Sequence, residues 1–227
     1  MLDIGESLSW RFVESIDRLL SHTPMDTMAP QFATSTEPKA MAEDSKVRQR
    51  AFEIIKARSF GRGDIKLSSG KSSTFYFDMK PTMLFPEGAH VLSELILARL
   101  SGKGIDYIGG LEMGAVPLIS SVSLLSHIKN EPLPGFFVRK EVKKHGTQKL
   151  IEGLPNGGLS GKKFVILEDV TTSGESAMIA VSAAQAEGAE VVMVLSIVDR
   201  GEGAVAFYKG KNIEFSSLFT AGEFLDS

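Results

Sequence analysis

The sequence FVILEDVTTSGES, residues 164–176, decides how this 227-residue chain folds. It begins with a short apolar run rich in β-branched residues, which predicts a strand buried on both faces. Residues 177–189 are apolar almost all round and predict a helix that ends at Gly188, and residues 190–198 predict the next buried strand. These elements form one βαβ unit, so we expect its first loop to lie at the carboxyl end of a parallel sheet, where open α/β sheets bind ligands.

That loop carries groups suited to a sugar phosphate. A glycine turn that opens a helix points unpaired backbone N–H groups at one spot and favours a phosphate. Further donors are the hydroxyls of Thr171, Thr172, Ser173 and Ser176. The adjacent carboxylates of Glu168 and Asp169 would repel a phosphate, so we expect them to accept hydrogen bonds from ribose hydroxyls and to support a divalent cation through its water shell.

Other phosphate motifs fit less well. The loop lacks both the Gly-Lys-Ser/Thr ending of a P-loop and the three-glycine dinucleotide fingerprint. In an ordinary βα turn the two acids would cap the helix, but they lie too far upstream of a helix that begins near Glu175. LEDVTTSGES instead resembles the phosphoribosyl-diphosphate (PRPP) signature of type I phosphoribosyltransferases. The resemblance implies PRPP contacts at Glu168, Asp169, Val170, Thr171, Thr172, Ser173, Gly174, Glu175 and Ser176.

Composition limits the class of protein. A chain of this length with 43% hydrophobic residues is enough for one substantial domain. The net charge of −3 gives no electrostatic case for nucleic acid or an anionic membrane, and no apolar run approaches the roughly 20 residues of a membrane span. The absence of cysteine excludes disulfides and thiolate zinc sites. We expect a cytoplasmic protein without nucleic-acid or membrane partners.

The first 43 residues differ from the rest. Residues 7–20 can form an amphipathic helix, and residues 21–40 are rich in Pro, Thr, Ser and Ala, as is typical of a flexible linker. Early acidic residues argue against an organelle transit peptide. We expect a flexible extension over residues 1–43 and a phosphoribosyltransferase domain over residues 44–227, with Met41 as an alternative natural start.

The first half of the domain alternates helices and strands. A helix is predicted from Asp44, then a hairpin that turns at Ser69-Gly70, then a helix opened by Pro86. The next segment, residues 105–125, predicts a strand, a glycine-rich loop at residues 109–114 and a helix. That loop suits either a second anion or simple tight packing. The pattern predicts an α/β fold with a doubly wound, mainly parallel sheet.

A basic segment, residues 139–149, follows the predicted strand at residues 136–138. Its charged side chains are Arg139, Lys140, Lys143, Lys144, His145 and Lys149, opposed only by Glu141. Nearby glycines disfavour a compact helix, so we expect a mobile loop. Such a run is usually a solvated surface. In a protein that is acidic overall, however, this concentration of charge favours a lid that brings positive charge to a polyphosphate.

The segment VRKEVKKHG is similar to the flexible catalytic loop of orotate phosphoribosyltransferases, Arg-Lys-x-x-Lys-x-His-Gly. The resemblance implies PRPP contacts at Arg139, Lys140, Lys143 and His145, with Lys143 and Asp169 as catalytic residues. In that family the loop closes partly over the neighbouring subunit, which implies a homodimer with active sites shared across the interface. It also implies that Mg²⁺ arrives with PRPP, without a dedicated protein cage.

Two further stretches extend the resemblance to the base site. LSSGKSSTFYFD resembles the family's Ser-Gly-x-x-Ser-x-x-Tyr/Phe pattern and implies orotate contacts on or near Tyr76 and Phe77. SIVDRGEGA resembles its Asp-Arg stretch and implies an orotate contact at Arg200, to which the phosphate loop adds Thr172. Arg200 is also a candidate on chemical grounds alone, because it follows a strand end and its guanidinium can bind a planar carboxylate through two hydrogen bonds. A surface ion pair with Glu202 is the structural alternative.

The resemblance covers roughly residues 46–225 and implies a small hood built from the N-terminal hairpin region and the C-terminal segment. It implies transfer of a phosphoribosyl group from PRPP to orotate, giving orotidine 5′-phosphate and pyrophosphate on the way to UMP. A purine-type phosphoribosyltransferase and a non-catalytic PRPP-sensing regulator of the same fold are the alternatives. The chain has Ser68 and Gly114 where some family members carry lysine, so backbone amides would have to replace those contacts.

Overall fold

The computed structural model describes residues 38–66, 72–141, 150–154 and 158–227. Its centre is a parallel sheet of four strands in the order β3–β6–β7–β8. The strands are β3 (Tyr107–Gly109), β6 (Lys163–Thr171), β7 (Glu190–Asp199) and β8 (Glu214–Thr220). The βαβ unit predicted from residues 164–198 is therefore confirmed, with β6 and β7 as direct neighbours.

A further segment extends the sheet beyond β3. Residues 134–138, which include the short strand β4 (Phe137–Val138), run parallel to β3. The N–H of Phe136 donates to the carbonyl of Ile108 at 3.0 Å, and that of Val138 donates to Gly110 at 2.8 Å. On its other side β4 pairs antiparallel with β5 (Ile151–Glu152). The basic segment thus begins at the end of a short strand that lies between β3 and β5.

Helices cover both faces of the sheet, which confirms the doubly wound arrangement. Val165 and Leu167 of β6 enter the core cluster formed with α1 (Pro38–Arg58), α3 (Pro86–Leu100) and α4 (Val116–Ile128). Their neighbours Phe164 and Ile166 enter the opposite cluster with α5 (Glu175–Ala186) and α6 (Ala204–Gly210). Successive strand residues point to opposite faces, so a continuously apolar strand is what two helical layers require.

The hairpin and the end of the chain pack together. Strand β1 (Phe60–Lys66) pairs antiparallel with β2 (Ser72–Phe77), and α2 (Lys80–Met83) follows. Phe224 of the terminal helix α7 (Ala221–Leu225) lies 5.8 Å from Phe60 and 5.2 Å from Phe77, measured between ring centroids. The Arg62 guanidinium also donates to the carbonyl of Leu225 at 2.6 Å. These contacts join the two segments from which we expected a hood.

Helix α1 begins at Pro38 rather than at Asp44, so it includes the last residues that the sequence assigned to the extension. Proline is favoured in the first turn of a helix, where its missing N–H needs no partner. The predicted turn at Ser69-Gly70, like Ser68, lies outside the described residues. In the described part of the chain, no helix has both the length and the apolar character needed to span a membrane.

Candidate active site

A cleft of about 310 Å³ lies at the carboxyl end of β6, where the phosphate loop begins. Its lining includes Glu168 and Asp169, which we call the acidic wall. It also includes Lys140, and we call Lys140 and the preceding residue Arg139 the basic wall. The remaining lining residues are Lys80, Leu111, Glu112, Met113, Gly114, Ala115, Leu167, Val170, Ser176 and Ala177. The predicted phosphate loop and the first residues of the basic segment therefore meet at one cleft.

The acidic wall is held by hydrogen bonds within its own strand. The Thr171 hydroxyl donates to Glu168 Oε2 at 3.1 Å, and the Val170 N–H donates to Asp169 Oδ1 at 2.9 Å. Thr171 is buried, so its hydroxyl serves the acidic wall in this structure. Burial raises the pKa of Glu168 to about 7, against the hydrogen bond from Thr171. Burial also raises the pKa of Asp169, although the Val170 N–H opposes that shift.

The glycine-rich loop after β3 packs closely against the acidic wall. A Cβ atom built on Gly114 would lie 2.8 Å from Asp169 Oδ1. That distance is shorter than real Cβ contacts allow, so a side chain here would displace the carboxylate. The peptide bond between Glu112 and Met113 in this loop is cis. The absence of lysine at position 114 thus accompanies close contact between the loop and Asp169.

The phosphate loop ends where the sequence predicted, because α5 begins at Glu175. Gly174 occupies the N-cap position with φ 92°, a left-handed conformation that favours glycine. The first N–H groups of α5 have no partner within the helix. Ser176 and Ala177 of this first turn line the cleft, so the helix presents its N-terminus there. An N-terminus of this kind favours an anion.

The basic wall is held by ion pairs between separate segments. Arg139 Nε donates to Glu152 Oε1 of β5 at 3.1 Å, and Arg139 Nη1 lies 3.7 Å from Glu112 Oε2. Glu112 Oε1 also accepts the backbone N–H of Lys140 at 3.0 Å. The rest of the predicted lid, with Lys143, Lys144, His145 and Lys149, lies outside the described residues.

Arg200 is buried one strand away from the acidic wall, with only 8% of its surface exposed. Its Nε donates to Glu202 Oε1 at 2.8 Å, and its Nη2 donates to the Ser73 hydroxyl at 3.0 Å. The ion pair considered as an alternative is therefore present, but the arginine side chain is not at the surface. The guanidinium carries five N–H donors, so hydrogens on both terminal nitrogens remain for a ligand beside these two bonds.

The aromatic residue against Arg200 is Phe75, whose ring centroid lies 4.3 Å from the guanidinium carbon. Phe77 packs against Phe60 at 5.1 Å between ring centroids, within the hairpin core. Tyr76 points to the other face of β2 and is 42% exposed. Sequence reasoning did not single out Phe75, and it assigned no contact to Ser73, the second serine of the family pattern. The alternation of β2 was the available signal for these two residues, because it places residues 73, 75 and 77 on one face and Tyr76 on the other.

Lys80 is a second residue that sequence reasoning did not single out. It follows the hairpin in α2 and lines the cleft together with Asp169. Its Nζ lies 2.9 Å from Asp78 Oδ1. The hydrogen bond to Asp78 raises the pKa of Lys80, and the charge of Asp169 raises it further. The cleft therefore contains a cation from the hairpin side as well as those of the basic wall.

The cleft offers oxygen ligands to a metal but no closed cage. Across the described ranges, no group of three or more His, Cys, Asp or Glu side chains is placed to hold an ion. Two neighbouring carboxylates suit Mg²⁺, which prefers oxygen ligands and keeps several of its waters. Glu168 and Asp169 thus fit a magnesium ion that is bound mainly by water and substrate phosphate.

Comparisons with known proteins find relatives that are named orotate phosphoribosyltransferase. No family model matches the chain. An orotate phosphoribosyltransferase from Bradyrhizobium diazoefficiens is 55% identical over 179 residues, which are 78% of this chain and 96% of the relative. The crystal structure of the Mycobacterium tuberculosis orotate phosphoribosyltransferase with Fe(III) dicitrate is 30% identical, with a TM-score of 0.68 over 78% of this chain and 98% of that one. The same enzyme in complex with PRPP gives 28% identity and a TM-score of 0.65 over the same shares.

Proposed function

The chain belongs to the orotate phosphoribosyltransferase family, and we propose that this cleft joins orotate to PRPP, releasing pyrophosphate and forming orotidine 5′-phosphate. The chain is thus a pentosyltransferase of pyrimidine biosynthesis. The observation that carries the proposal is the position of Arg200 beside the PRPP loop. Its backbone N–H donates to the carbonyl of Thr171 at 3.0 Å, which ties the base site directly to the end of β6.

The proposed role of the acidic wall is to hold the ribose. The N-terminus of α5 binds the 5-phosphate, and Glu168 and Asp169 accept hydrogen bonds from the ribose hydroxyls. As pyrophosphate leaves, positive charge develops at the anomeric carbon, and fixed carboxylates favour that charge. Magnesium bound to the diphosphate supplies charge neutralisation when it is present. The protein contributes mainly position and electric field.

The proposed role of the basic wall is to neutralise the leaving pyrophosphate. Arg139 and Lys140 are its described cations, and the resemblance adds Lys143 and His145 from residues outside the described ranges. We add Lys80 on structural grounds, because its ammonium lies at the same cleft. Positive charge that matters most when the leaving group departs raises turnover more than it raises substrate affinity.

For the base, we propose that Arg200 binds the orotate carboxylate and that Phe75 packs beside it. Thr172 and the region of Tyr76 and Phe77 complete the predicted base site. A neutral purine offers no anionic partner to the buried guanidinium. A buried donor left without its acceptor costs binding free energy, so this site discriminates against the purine alternative. A PRPP-sensing regulator would not need a carboxylate site here.

Turnover of PRPP with each of several bases tests the proposal. Orotate should be consumed, whereas adenine and hypoxanthine should not. Arg200→Ala should weaken orotate binding by about 2–4 kcal/mol, because a charge-assisted pair is lost, and should leave PRPP binding almost unchanged. Arg58→Ala is a matched control, since Arg58 also lies over a phenylalanine ring, 3.7 Å from the Phe85 centroid, but does not line the cleft. Equal orotate affinity in parent and Arg200→Ala protein would refute the assignment.

We also propose a homodimer in which the lid, residues 139–149, closes partly over the partner's site: Arg139 and Lys140 stay at their own cleft, and Lys143 reaches the partner's. Lys143→Ala and Asp169→Ala should each be nearly inactive. If the lid crosses, a mixed dimer has one site with both residues intact and one with neither. Random exchange makes half the dimers mixed, so roughly a quarter of parental activity should return when the two variants are combined. Absence of recovery, with subunit exchange verified by mass spectrometry, would mean that each lid serves its own subunit.

A further inference from the structure

A tyrosine lies beneath the phosphate loop, on the side of the core. Tyr208 of α6 is completely buried, and its hydroxyl donates to the carbonyl of Gly174 at 2.8 Å. Its ring stacks on Phe215 of β8, with centroids 5.0 Å apart and an angle of 18° between planes. The ring is therefore fixed by the core, and the hydroxyl at its tip is bonded to the N-cap residue of α5.

The rings of α6 also fix the position of Gly174 itself. A Cβ atom built there would lie 2.7 Å from Tyr208 Cε2 and 2.9 Å from Phe207 Cδ1. The backbone of the loop therefore rests directly on these two rings, with no room for a side chain between them. Together with φ of 92°, this contact explains why glycine occupies the position.

The hydrogen bond has a geometric consequence on the other side of the peptide. The carbonyl of Gly174 and the N–H of Glu175 belong to one planar unit, and in a trans peptide they point in opposite directions. Because Tyr208 holds the carbonyl toward the core, the N–H of Glu175 points away from the core. That N–H is the first of α5 and has no partner within the helix, so it is available to an anion.

We propose that Tyr208 is a positioning residue for the sugar phosphate: its hydroxyl sets the Gly174–Glu175 peptide so that the Glu175 N–H faces the 5-phosphate. The inference rests on the proposed function, which places that phosphate at the N-terminus of α5. Tyr208 does not touch the substrate and acts only through the loop. Its effect should therefore be confined to ligands that carry the 5-phosphate.

The test is the variant Tyr208→Phe, which keeps the ring and removes the hydroxyl. Calorimetric titration with ribose 5-phosphate should show a dissociation constant about five- to tenfold higher than that of the parent, as expected for one misaligned hydrogen bond to a charged group. Affinities for pyrophosphate and orotate should be unchanged, because neither carries the 5-phosphate. In turnover, KM for PRPP should rise while kcat changes less than twofold.

Ser126→Ala is the matched control for loss of a buried hydroxyl. The Ser126 hydroxyl donates to Ser123 O at 2.7 Å and accepts the Leu133 N–H at 2.9 Å, away from the cleft lining. Its loss should lower the melting temperature without altering ribose 5-phosphate affinity. Parental affinity in Tyr208→Phe, or an equal loss for pyrophosphate, overturns the inference. Should Tyr208→Phe fail to fold, Phe215→Leu, which loosens the ring stack, should raise the ribose 5-phosphate dissociation constant two- to threefold, and no change there overturns it.

The measurements distinguish failure of the proposed function from failure of the positioning role. In that case the parent protein itself would neither bind ribose 5-phosphate nor consume orotate with PRPP, and the inference would fall with it. A parent that is active together with a Tyr208→Phe protein of parental phosphate affinity would overturn the positioning role alone.

Discussion

The two walls of the cleft carry opposite charge and are built in opposite ways. The acidic wall consists of consecutive residues of β6, a strand paired with β3 on one side and β7 on the other. Its hydrogen bonds reach no further than three residues along the chain. The basic wall follows β4, a strand of two residues outside the four-stranded sheet, and Arg139 depends on carboxylates from two other segments, Glu112 and Glu152.

This difference has consequences for electrostatics. Burial costs the acidic wall free energy, since it disfavours the charged form of both carboxyl groups. Lys140 of the basic wall is exposed to water, and the charge of Arg139 is already compensated by ion pairs that a diphosphate can replace. We expect substitutions in the acidic wall to cause large losses of activity. We expect the affinity that the basic wall provides to vary modestly with salt and with small changes of charge.

The largest expected effect is that of Asp169→Asn. Replacing the carboxylate by an amide of the same shape removes a charge that stabilises the ribose cation, so turnover should fall roughly 10²–10³-fold. Because burial raises the pKa of Asp169, loss of its charge should leave the melting temperature unchanged or slightly higher. Steady-state kinetics and thermal unfolding measure the two effects.

Asp106→Asn is the control for this variant. Asp106 lies just before β3, at the opposite end of the sheet, where it accepts the Lys163 N–H at 2.8 Å. Its loss should leave turnover within twofold of the parent. If Asp169→Asn lost activity only because it unfolded, the acidic wall would be a structural element rather than a functional one.

The position of the acidic wall could be predicted from the sequence, because the residues that build it are neighbours in the chain. A buried strand, two acids, a glycine and a helix start are adjacent in the chain, and the strand places them at the sheet edge. Arg139 could be recognised as part of a basic run, but its partners Glu112 and Glu152 could not. Those partners are distant along the chain and meet Arg139 only when β4 pairs with its neighbours.

The surroundings of Arg200 were predicted less completely for the same reason. Arg200 was identified from the Asp-Arg stretch and from its position directly after a strand. Its contact with Phe75, in preference to Tyr76 or Phe77, depends on how the hairpin lies over the end of β7, which no local pattern fixes. Tyr208 belongs to a short helix with an ordinary apolar pattern, so its hydrogen bond to Gly174 is visible only in three dimensions.

The second prediction concerns pH and the acidic wall. Burial raises the pKa of Glu168 to about 7. Below pH 7 this carboxyl group is mostly protonated, so it must lose its proton before it can accept hydrogen bonds from PRPP as a carboxylate. PRPP affinity should fall about tenfold from pH 8 to pH 6, beyond any change seen with Glu168→Gln. The phosphates of PRPP titrate in both proteins, so the difference between the two profiles reports Glu168 alone. Calorimetry in buffers of different ionisation enthalpy should detect the released proton.

The same group links pH to stability. A raised carboxyl pKa means that the folded protein binds the proton more tightly than the unfolded chain does. Its stabilising contribution is therefore complete below the ordinary glutamate pKa and is lost as pH rises through about 7. The ligand-free parent should lose stability relative to Glu168→Gln over this interval. Parallel unfolding curves for the two proteins across pH would contradict the assignment of the shift to Glu168.

The smallest expected effect concerns the ion pairs of the basic wall. Arg139 lies between Glu152, at 3.1 Å, and Glu112, at 3.7 Å, and both carboxylates oppose its attraction for a diphosphate. Glu152→Gln keeps a hydrogen-bond acceptor but removes one negative charge, so the PRPP dissociation constant should fall about two- to threefold at low salt. The gain should disappear near 0.5 M salt, where exposed charges are screened within a few ångströms. Unfolding free energy should change by less than about 1 kcal/mol.

Glu190→Gln is the control that separates a local effect on Arg139 from an effect of net charge. Glu190 begins β7 at the opposite end of the sheet, 4.0 Å from Lys163, and its variant changes the net charge by the same amount. If both variants strengthened PRPP binding equally, the effect would reflect net charge rather than Arg139. If Glu152→Gln weakened binding instead, the carboxylate would be orienting Arg139 toward the diphosphate, and the basic wall would be as fixed as the acidic one. Improved binding that is specific to Glu152→Gln and sensitive to salt would show that the basic wall is held by exchangeable ion pairs.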